Sequence, residues 1–460
     1  SFRQWGHALI DRIADQVEKV QTNTAAAVIP YHEPAEALAF WQNDFADANS
    51  DPLAFFDKVI ARSIHLHHPH YIGHQVSVPA LVSSLAGMLS DVLSNGTGVY
   101  EMGMASNALE RVVTDFTAQK IGYPDTASGF LTSGGTLANL TALLAARRAK
   151  APSNVWQEGH QERLAVMVSE EAHYCIDRAA RILGMGVEGI IKIPVDSQFK
   201  ICSELLEDRL RQAEKEGLKV IAIVGCAGST ATGSYDDLNA LADFCAKHQL
   251  WFHVDGAHGG AVVFSEKHKS LVAGMSCADS VVIDYHKMLM TPALNTALLF
   301  REGQRAYETF SQRAQYLWEE QQEPEWYHSG KRTFECTKLM LSIKVYVILR
   351  TFGEQVFADN VDRLYAQAKV FASLLKVHPD FELLLEPEAN IVNFRYIGGS
   401  SESWNSQNAL IREKLIQGGA FYIVQTTING DRYLRCTVMN PLTGKEHFEG
   451  LLKEIERLVS

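Results

Sequence analysis

Lys287 follows the apolar run Val281-Val282-Ile283 and stands beside Asp284 and His286. Flanked by Ile283 and Leu289, its amine is expected in apolar surroundings, which favour the neutral form that attacks a carbonyl to make an imine. An isolated lysine is more often a solvated surface group. His286 next to it, and Asp255 at the end of Trp251-Phe252-His253-Val254, make it the centre of a candidate site. A carboxylate at Asp255 could hold a heterocyclic ring nitrogen in its protonated, electron-withdrawing form; a helix cap or a salt-bridged turn is the lesser alternative. Ala257 is small enough to lie against one ring face, and His173 could stack on the other. Ser133-Gly134-Gly135-Thr136 precedes a helical stretch, where free N–H groups and the positive dipole end suit a phosphate monoester. The same motif is as often a plain helix cap, and no Gly-Lys-Ser/Thr follows to make a nucleotide P-loop.

These residues need a scaffold, and the surrounding pattern supplies one. Segments 163–169, 189–195, 219–225, 250–254, 280–283 and 297–300 read as buried strands, separated by helical stretches that include 105–120 and 137–150. Near-continuous Val/Ile runs alternating with helices predict an α/β fold with a mostly parallel central sheet covered on both faces. Four of these strands end in reactive or small polar groups: Ser169 leading to His173, Gly228-Ser229-Thr230, Asp255, and Asp284 to Lys287. Ligands bind beyond the carboxyl ends of parallel strands, so four converging ends predict a site. After a helix expected over 336–349, strands at 391–396, 421–426 and 432–438 indicate a smaller α+β C-terminal domain. At the other end, Leu9, Ile10, Ile13, Val17 and Val20 form the apolar stripe of an amphipathic helix that must dock on something.

Two motifs invite other readings. Gly184-Met-Gly186-Val-Glu-Gly189 fits GxGxxG, but a helix precedes it and a strand follows, the reverse of a dinucleotide fingerprint. His65, His67, His68, His70 and His74 cluster, yet Pro69 breaks helical spacing and no Cys or acidic ligand joins them, so no metal is expected. The 460 residues are 47% apolar and 21% charged, with a net charge of −12, and lack the basic runs that nucleic acid requires. No apolar stretch reaches bilayer length, and the first residues do not resemble a secretory leader. Seven scattered cysteines, odd in number and never spaced CxxC, favour a reducing, cytoplasmic setting.

In combination the motifs resemble the group II pyridoxal-phosphate decarboxylases, which act on aromatic amino acids, glutamate, cysteine sulfinate or 2,4-diaminobutyrate. The matching stretches are His68-Pro69, Thr132-Ser-Gly-Gly-Thr136, Ser169-Glu-Glu-Ala-His-Tyr174 and His253-Val-Asp-Gly-Ala-His-Gly-Gly260. Ala278-Asp-Ser280, Asp284-Tyr-His-Lys287, Leu434-Arg435 and Asn440-Pro441 follow in the family's order. The resemblance implies the type I aminotransferase-like fold and the cofactor pyridoxal 5'-phosphate. It also implies a homodimer with its active site at the subunit interface. It divides the chain into an N-terminal dimerisation segment (1–63) that clasps the partner, a large cofactor domain (64–332) and a small C-terminal domain (333–460).

By the same resemblance, Lys287 carries the cofactor as a Schiff base, Asp255 pairs with the pyridine nitrogen and His173 stacks on the ring. Gly135 and Thr136 bind the phosphate, with Ser229 and His286 nearby. Tyr316 returns a proton to the substrate carbon, with Tyr327 as the alternative because the segment before Arg332 is short. Arg435 lies near the substrate carboxylate. Positions 256 and 258 are Gly and His, where the family usually has Ala and an aromatic residue. Gln75 and Ser77 resemble glutamate decarboxylases, whereas Asp284-Tyr-His-Lys287 resembles diaminobutyrate decarboxylases. Glutamate, aspartate and 2,4-diaminobutyrate therefore stand as candidate substrates for an α-decarboxylation. Aromatic substrates, transamination or carbon–carbon cleavage on the same fold, and a non-catalytic scaffold are the alternatives.

Overall fold

The computed structural model describes residues 1–22, 26–46, 51–310 and 325–459. Its contacts form two compact units, residues 79–362 and residues 1–78 together with 363–460.

The first unit is built on one sheet of seven strands: β1 (Ser128–Thr132), β2 (Arg163–Ser169), β3 (Ile190–Ile193), β4 (Leu218–Cys226), β5 (Trp251–Asp255), β6 (Ser280–Asp284) and β7 (Thr296–Phe300). Their order is β1-β7-β6-β5-β4-β2-β3. The run β6-β5-β4-β2-β3 is parallel, and β7 and β1 close one edge antiparallel. β4 buries every residue but Lys219, as a strand covered on both faces must. The helix Gly135–Lys150 crosses β4 to β7, and its Ala138, Ala142, Ala145 and Ala146 let it lie close to the sheet. Each Val or Ile taken fully from water there contributes about 1.5–3 kcal/mol.

Most of the expected strands are present, and the differences have physical causes. β1 is not among the strands expected from the sequence. A side chain at Gly129 would come within 2.4 Å of Leu299 Cδ2, so glycine is what permits the close approach of β7. The helix expected over 336–349 starts only at Leu341. Tertiary bonds hold the preceding residues out of it: the Lys338 ammonium is buried 2.8 Å from Glu110, and its carbonyl accepts from Thr97 N at 3.2 Å. Gly184 and Gly186, both at positive φ, form the turn between the helix Tyr174–Ile182 and β3, as the order of elements around them required.

The second unit carries a four-stranded antiparallel sheet, β8 (Phe381–Leu383), β9 (Ile391–Tyr396), β10 (Val424–Ile428) and β11 (Asp431–Thr437), in the order β10-β11-β9-β8. Asn429 and Gly430, both at positive φ, make the two-residue turn between β10 and β11. The helix Trp404–Gly418 packs on β9 and β11. The N-terminal residues join this unit through backbone bonds: Tyr71 bridges Tyr422, Ile72 N donates to Tyr422 O (3.0 Å) and Thr437 N to Ile72 O (3.0 Å). This grouping differs from a division of the chain in sequence order, since residues 64–78 lie with the C-terminal strands. The clustered histidines are part of the same packing. His70 stacks on Phe421 at 3.9 Å, His68 Nδ1 accepts from His70 N, and burial lowers both imidazoles to about 4.

Candidate active site

Because β2, β4, β5 and β6 are adjacent and parallel, their carboxyl ends share one edge of the sheet. Asp255 closes β5, and its two oxygens are held separately. Oδ1 accepts from Ala257 N (3.2 Å) and Oδ2 from Asn139 Nδ2 (3.1 Å). Asn139 stands one turn after Gly135 on the same helix, so the Gly-rich helix start and the carboxylate are tied together.

Lys287 lies in the turn after β6. Its ammonium nitrogen is 3.1 Å from Asp284 Oδ2, which corrects the expectation of purely apolar surroundings. Asp284 is only 2% exposed; Thr296 Oγ1 donates to it and His286 Nε2 is 3.7 Å away. The His286 ring is pinned at Nδ1 against the backbone of Asn295. A Cβ added at Gly135 would lie 3.3 Å from Asp284 Oδ1 and 3.5 Å from Ala257 Cβ. Gly135, Asp284 and Ala257 therefore converge, and glycine keeps the space open.

His173 caps the helix Tyr174–Ile182, its Nδ1 accepting from Cys175 N at 3.3 Å. Burial lowers its pKa; the charges of Asp255 and Asp284 oppose this, while those of Lys287 and Arg178 reinforce it. The lowered proton affinity favours the neutral ring, which lies within the field of all four charges. No side chain caps the first turn of the helix Gly135–Lys150 among the described residues, and Gly134 at φ +121° sets up the turn. Ser229 sits in the turn after β4, its hydroxyl 2.8 Å from Thr232 Oγ1. At position 256 a Cβ would meet Val282 O at 2.8 Å, which accounts for glycine there.

Gln75, Ser77 and Arg435 belong to the other unit. Arg435 lies on β11, 6% exposed, with Nε and Nη2 lacking hydrogen-bond partners among the described residues. Burial draws its guanidinium down to about 10, opposed only by the Cys436 thiol. Gln75 Nε2 and Arg412 Nε are also buried without a hydrogen-bond partner among the described residues. Burial, and then the charges of Arg435 and Arg412, lower His74. Tyr316 lies outside the described residues. Tyr327 is described, and its hydroxyl is 3.3 Å from Glu325 Oε1. Sequence reasoning did not single out Asn139, Arg412 or the contact of Asp284 with Lys287. Only the placement of Asn139 one helical turn from Gly135 could have signalled its role.

An amine that can form an imine, a carboxylate held by two N–H donors, a neutral imidazole and an uncapped glycine helix start form one donor set. It fits an aromatic aldehyde that bears a ring nitrogen and a phosphate. The comparisons point the same way. The model of the pyridoxal-dependent decarboxylase conserved domain matches residues 47–397. The chain is 27% identical to an aromatic-L-amino-acid decarboxylase of Bacillus atrophaeus, over 99% of this chain and 95% of that protein. It is 27% identical to the human acidic amino acid decarboxylase GADL1, over 97% and 89%. The crystal structure of mouse CSAD shares the fold, with a TM-score of 0.92 at 24% identity, covering 99% of this chain and 98% of that one. The chain belongs to the pyridoxal-dependent decarboxylase family, amino acid carboxy-lyases whose cofactor is pyridoxal phosphate.

Proposed function

We propose that the protein removes the α-carboxylate of an acidic amino acid, of the size of glutamate or aspartate, releasing carbon dioxide and the amine. The observation that carries this substrate reading is Arg435, a buried guanidinium with two unfilled donors. A buried cation without a counter-ion is costly, and an anionic ligand group would offset that cost. Arg412 adds a second positive charge reaching His74, and Gln75 adds a further unfilled donor. Such surroundings favour a carboxylate and disfavour the distal ammonium of 2,4-diaminobutyrate. The test is a panel of amino acids scored for carbon dioxide and amine. Preferred turnover of glutamate or aspartate supports the reading; preferred turnover of an aromatic or diamino acid overturns it.

When bound, pyridoxal phosphate supplies the conjugated ring that accepts the electron pair freed as carbon dioxide leaves. In this reading the Lys287 amine would hold the cofactor through its aldehyde. Asp255 would keep the ring nitrogen protonated, and His173 and Ala257 would line the ring's place. Gly135 and Thr136, with Ser229 and His286, surround the phosphate. Tyr316, or Tyr327 in its place, returns the proton to the substrate carbon. Gln75, Ser77 and Arg435 bind the substrate's carboxylates. Arg435→Met is expected to raise KM by about tenfold or more with a smaller change in kcat. The same substitution should leave stability unchanged or raise it by about 1 kcal/mol, because an unpaired buried charge is gone. Steady-state kinetics with a melting curve checks both; a fall in Tm with an unaltered KM assigns Arg435 to structure instead.

A homodimer with the active site at the subunit interface, in the cytoplasm, completes the proposal. Leu81, Leu85, Met88, Leu89 and Val92 form one stripe along the helix Leu81–Leu93 and are all exposed. Phe2 and Trp5 of the first helix are exposed as well. Apolar stripes of this kind mark association surfaces. All seven cysteines are unpaired, in keeping with a reducing compartment, and no helix of the described residues is long and apolar enough to cross a membrane. The double variant Leu85→Glu/Leu89→Glu is expected to sediment as a monomer with little cofactor retained. A dimer of unchanged mass would show that another surface associates.

A further inference from the structure

Behind Asp255 lies a line of fully buried polar groups, all within the unit that holds the seven-stranded sheet. Asn139 is 1% exposed, and His253 and Ser280 are 0%. Asn139 Nδ2 is 3.1 Å from Asp255 Oδ2, and Asn139 Oδ1 is 2.7 Å from His253 Nε2. His253 Nδ1 is 2.8 Å from Ser280 Oγ, which in turn is 2.9 Å from the indole nitrogen of Trp251. We propose that these groups form a one-way hydrogen-bond chain, every proton directed toward Asp255, with Asn139 and His253 as positioning residues for that carboxylate.

The direction follows from what each group can do. A carboxylate only accepts, so Asn139 must turn its NH2 toward Asp255 and its oxygen toward His253. An amide oxygen also only accepts, so His253 Nε2 carries a hydrogen. Complete burial lowers this imidazole to about 4, with the Asp255 charge opposing, so the ring is neutral and Nδ1 is bare. Nδ1 therefore accepts from the Ser280 hydroxyl, whose oxygen is free to accept from Trp251 Nε1–H. The opposite tautomer would donate from Nδ1 to Ser280 O at 3.2 Å, but would press two acceptors together at 2.7 Å. Donors aligned in series polarise one another and stabilise the charge at the end of the line. Asn139 shares its helix with Gly135, so the chain couples the proposed phosphate end of the site to the carboxylate.

This inference rests on the assignment of Asp255 to the ring nitrogen, and the test separates the two. In 15N-histidine NMR of the apo- and holoenzyme, the His253 resonances, identified by their loss in His253→Gln, should report a neutral ring protonated at Nε2. The Nδ1-protonated tautomer or an imidazolium overturns the chain. Cofactor titration of the apoenzymes should show His253→Phe binding about tenfold to a hundredfold more weakly. His253→Gln, whose amide N–H can replace Nε2–H, should bind within about threefold of the parent. If His253→Phe does not fold, the tautomer of the unaltered protein still decides. Weakened binding by Asp255→Ala beside normal binding by His253→Phe sinks the chain alone. Normal binding and turnover by Asp255→Ala sinks the assignment beneath it.

Discussion

Lys287→Ala is expected to lower carbon dioxide release by on the order of 10³-fold or more and to abolish the visible absorption of lysine-bound cofactor. In the proposed assignment, alanine would offer no amine to hold the cofactor's aldehyde. The substitution also takes the ammonium away from Asp284, which is only 2% exposed. Removing one member of a buried pair typically costs about 3–5 kcal/mol, so the apoenzyme should melt at a lower temperature. Lys287→Arg separates the two effects: it keeps a cation beside Asp284 but provides no imine-forming amine. It should be inactive yet more stable than the alanine variant. Turnover persisting in Lys287→Ala with the absorption band unchanged would refute the role of Lys287.

The second large effect is expected at Asp255. Asp255→Ala removes the only carboxylate that receives both the Asn139 and the Ala257 N–H groups among the described residues. In the proposed assignment, the ring nitrogen would then have no partner to keep it protonated, and the ring would withdraw electrons poorly. Preorganised electrostatic groups of this kind are worth roughly 10²–10³-fold in kcat, and a loss of that order is expected here. KM should change far less, because the substrate's carboxylates are assigned to other residues. Asp255→Asn keeps the shape and tests charge alone; it should be nearly as slow as the alanine variant. Single-turnover kinetics with saturating cofactor measures this directly, and a rate within tenfold of the parent would remove Asp255 from the mechanism.

Much of this arrangement is visible in the chain itself. Continuous apolar runs such as Val220-Ile-Ala-Ile-Val224 leave few choices but a buried strand, and the polar residues that close β2, β5 and β6 stand out against them. β1 was hidden because glycine there serves packing against β7, a relation that no local pattern expresses. The start of the helix at Leu341 was hidden for a similar reason. Residues 336–340 could continue a helical pattern, but Lys338 is drawn to Glu110, far earlier in the chain.

The sequence by itself determined the kind of scaffold and an imine-forming candidate site, because strand and helix periodicities, glycine turns and reactive residue types are local properties; decarboxylation is what the family resemblance of its motifs adds. Only the tertiary structure decided which of those residues meet. It set the Lys287 amine against Asp284, placed Asn139 between His253 and Asp255, and joined residues 65–74 to the C-terminal strands. Those contacts depend on the order and register of strands distant in sequence. Pairing of that kind is selected by the packing of the whole core, which a short window of residues does not encode.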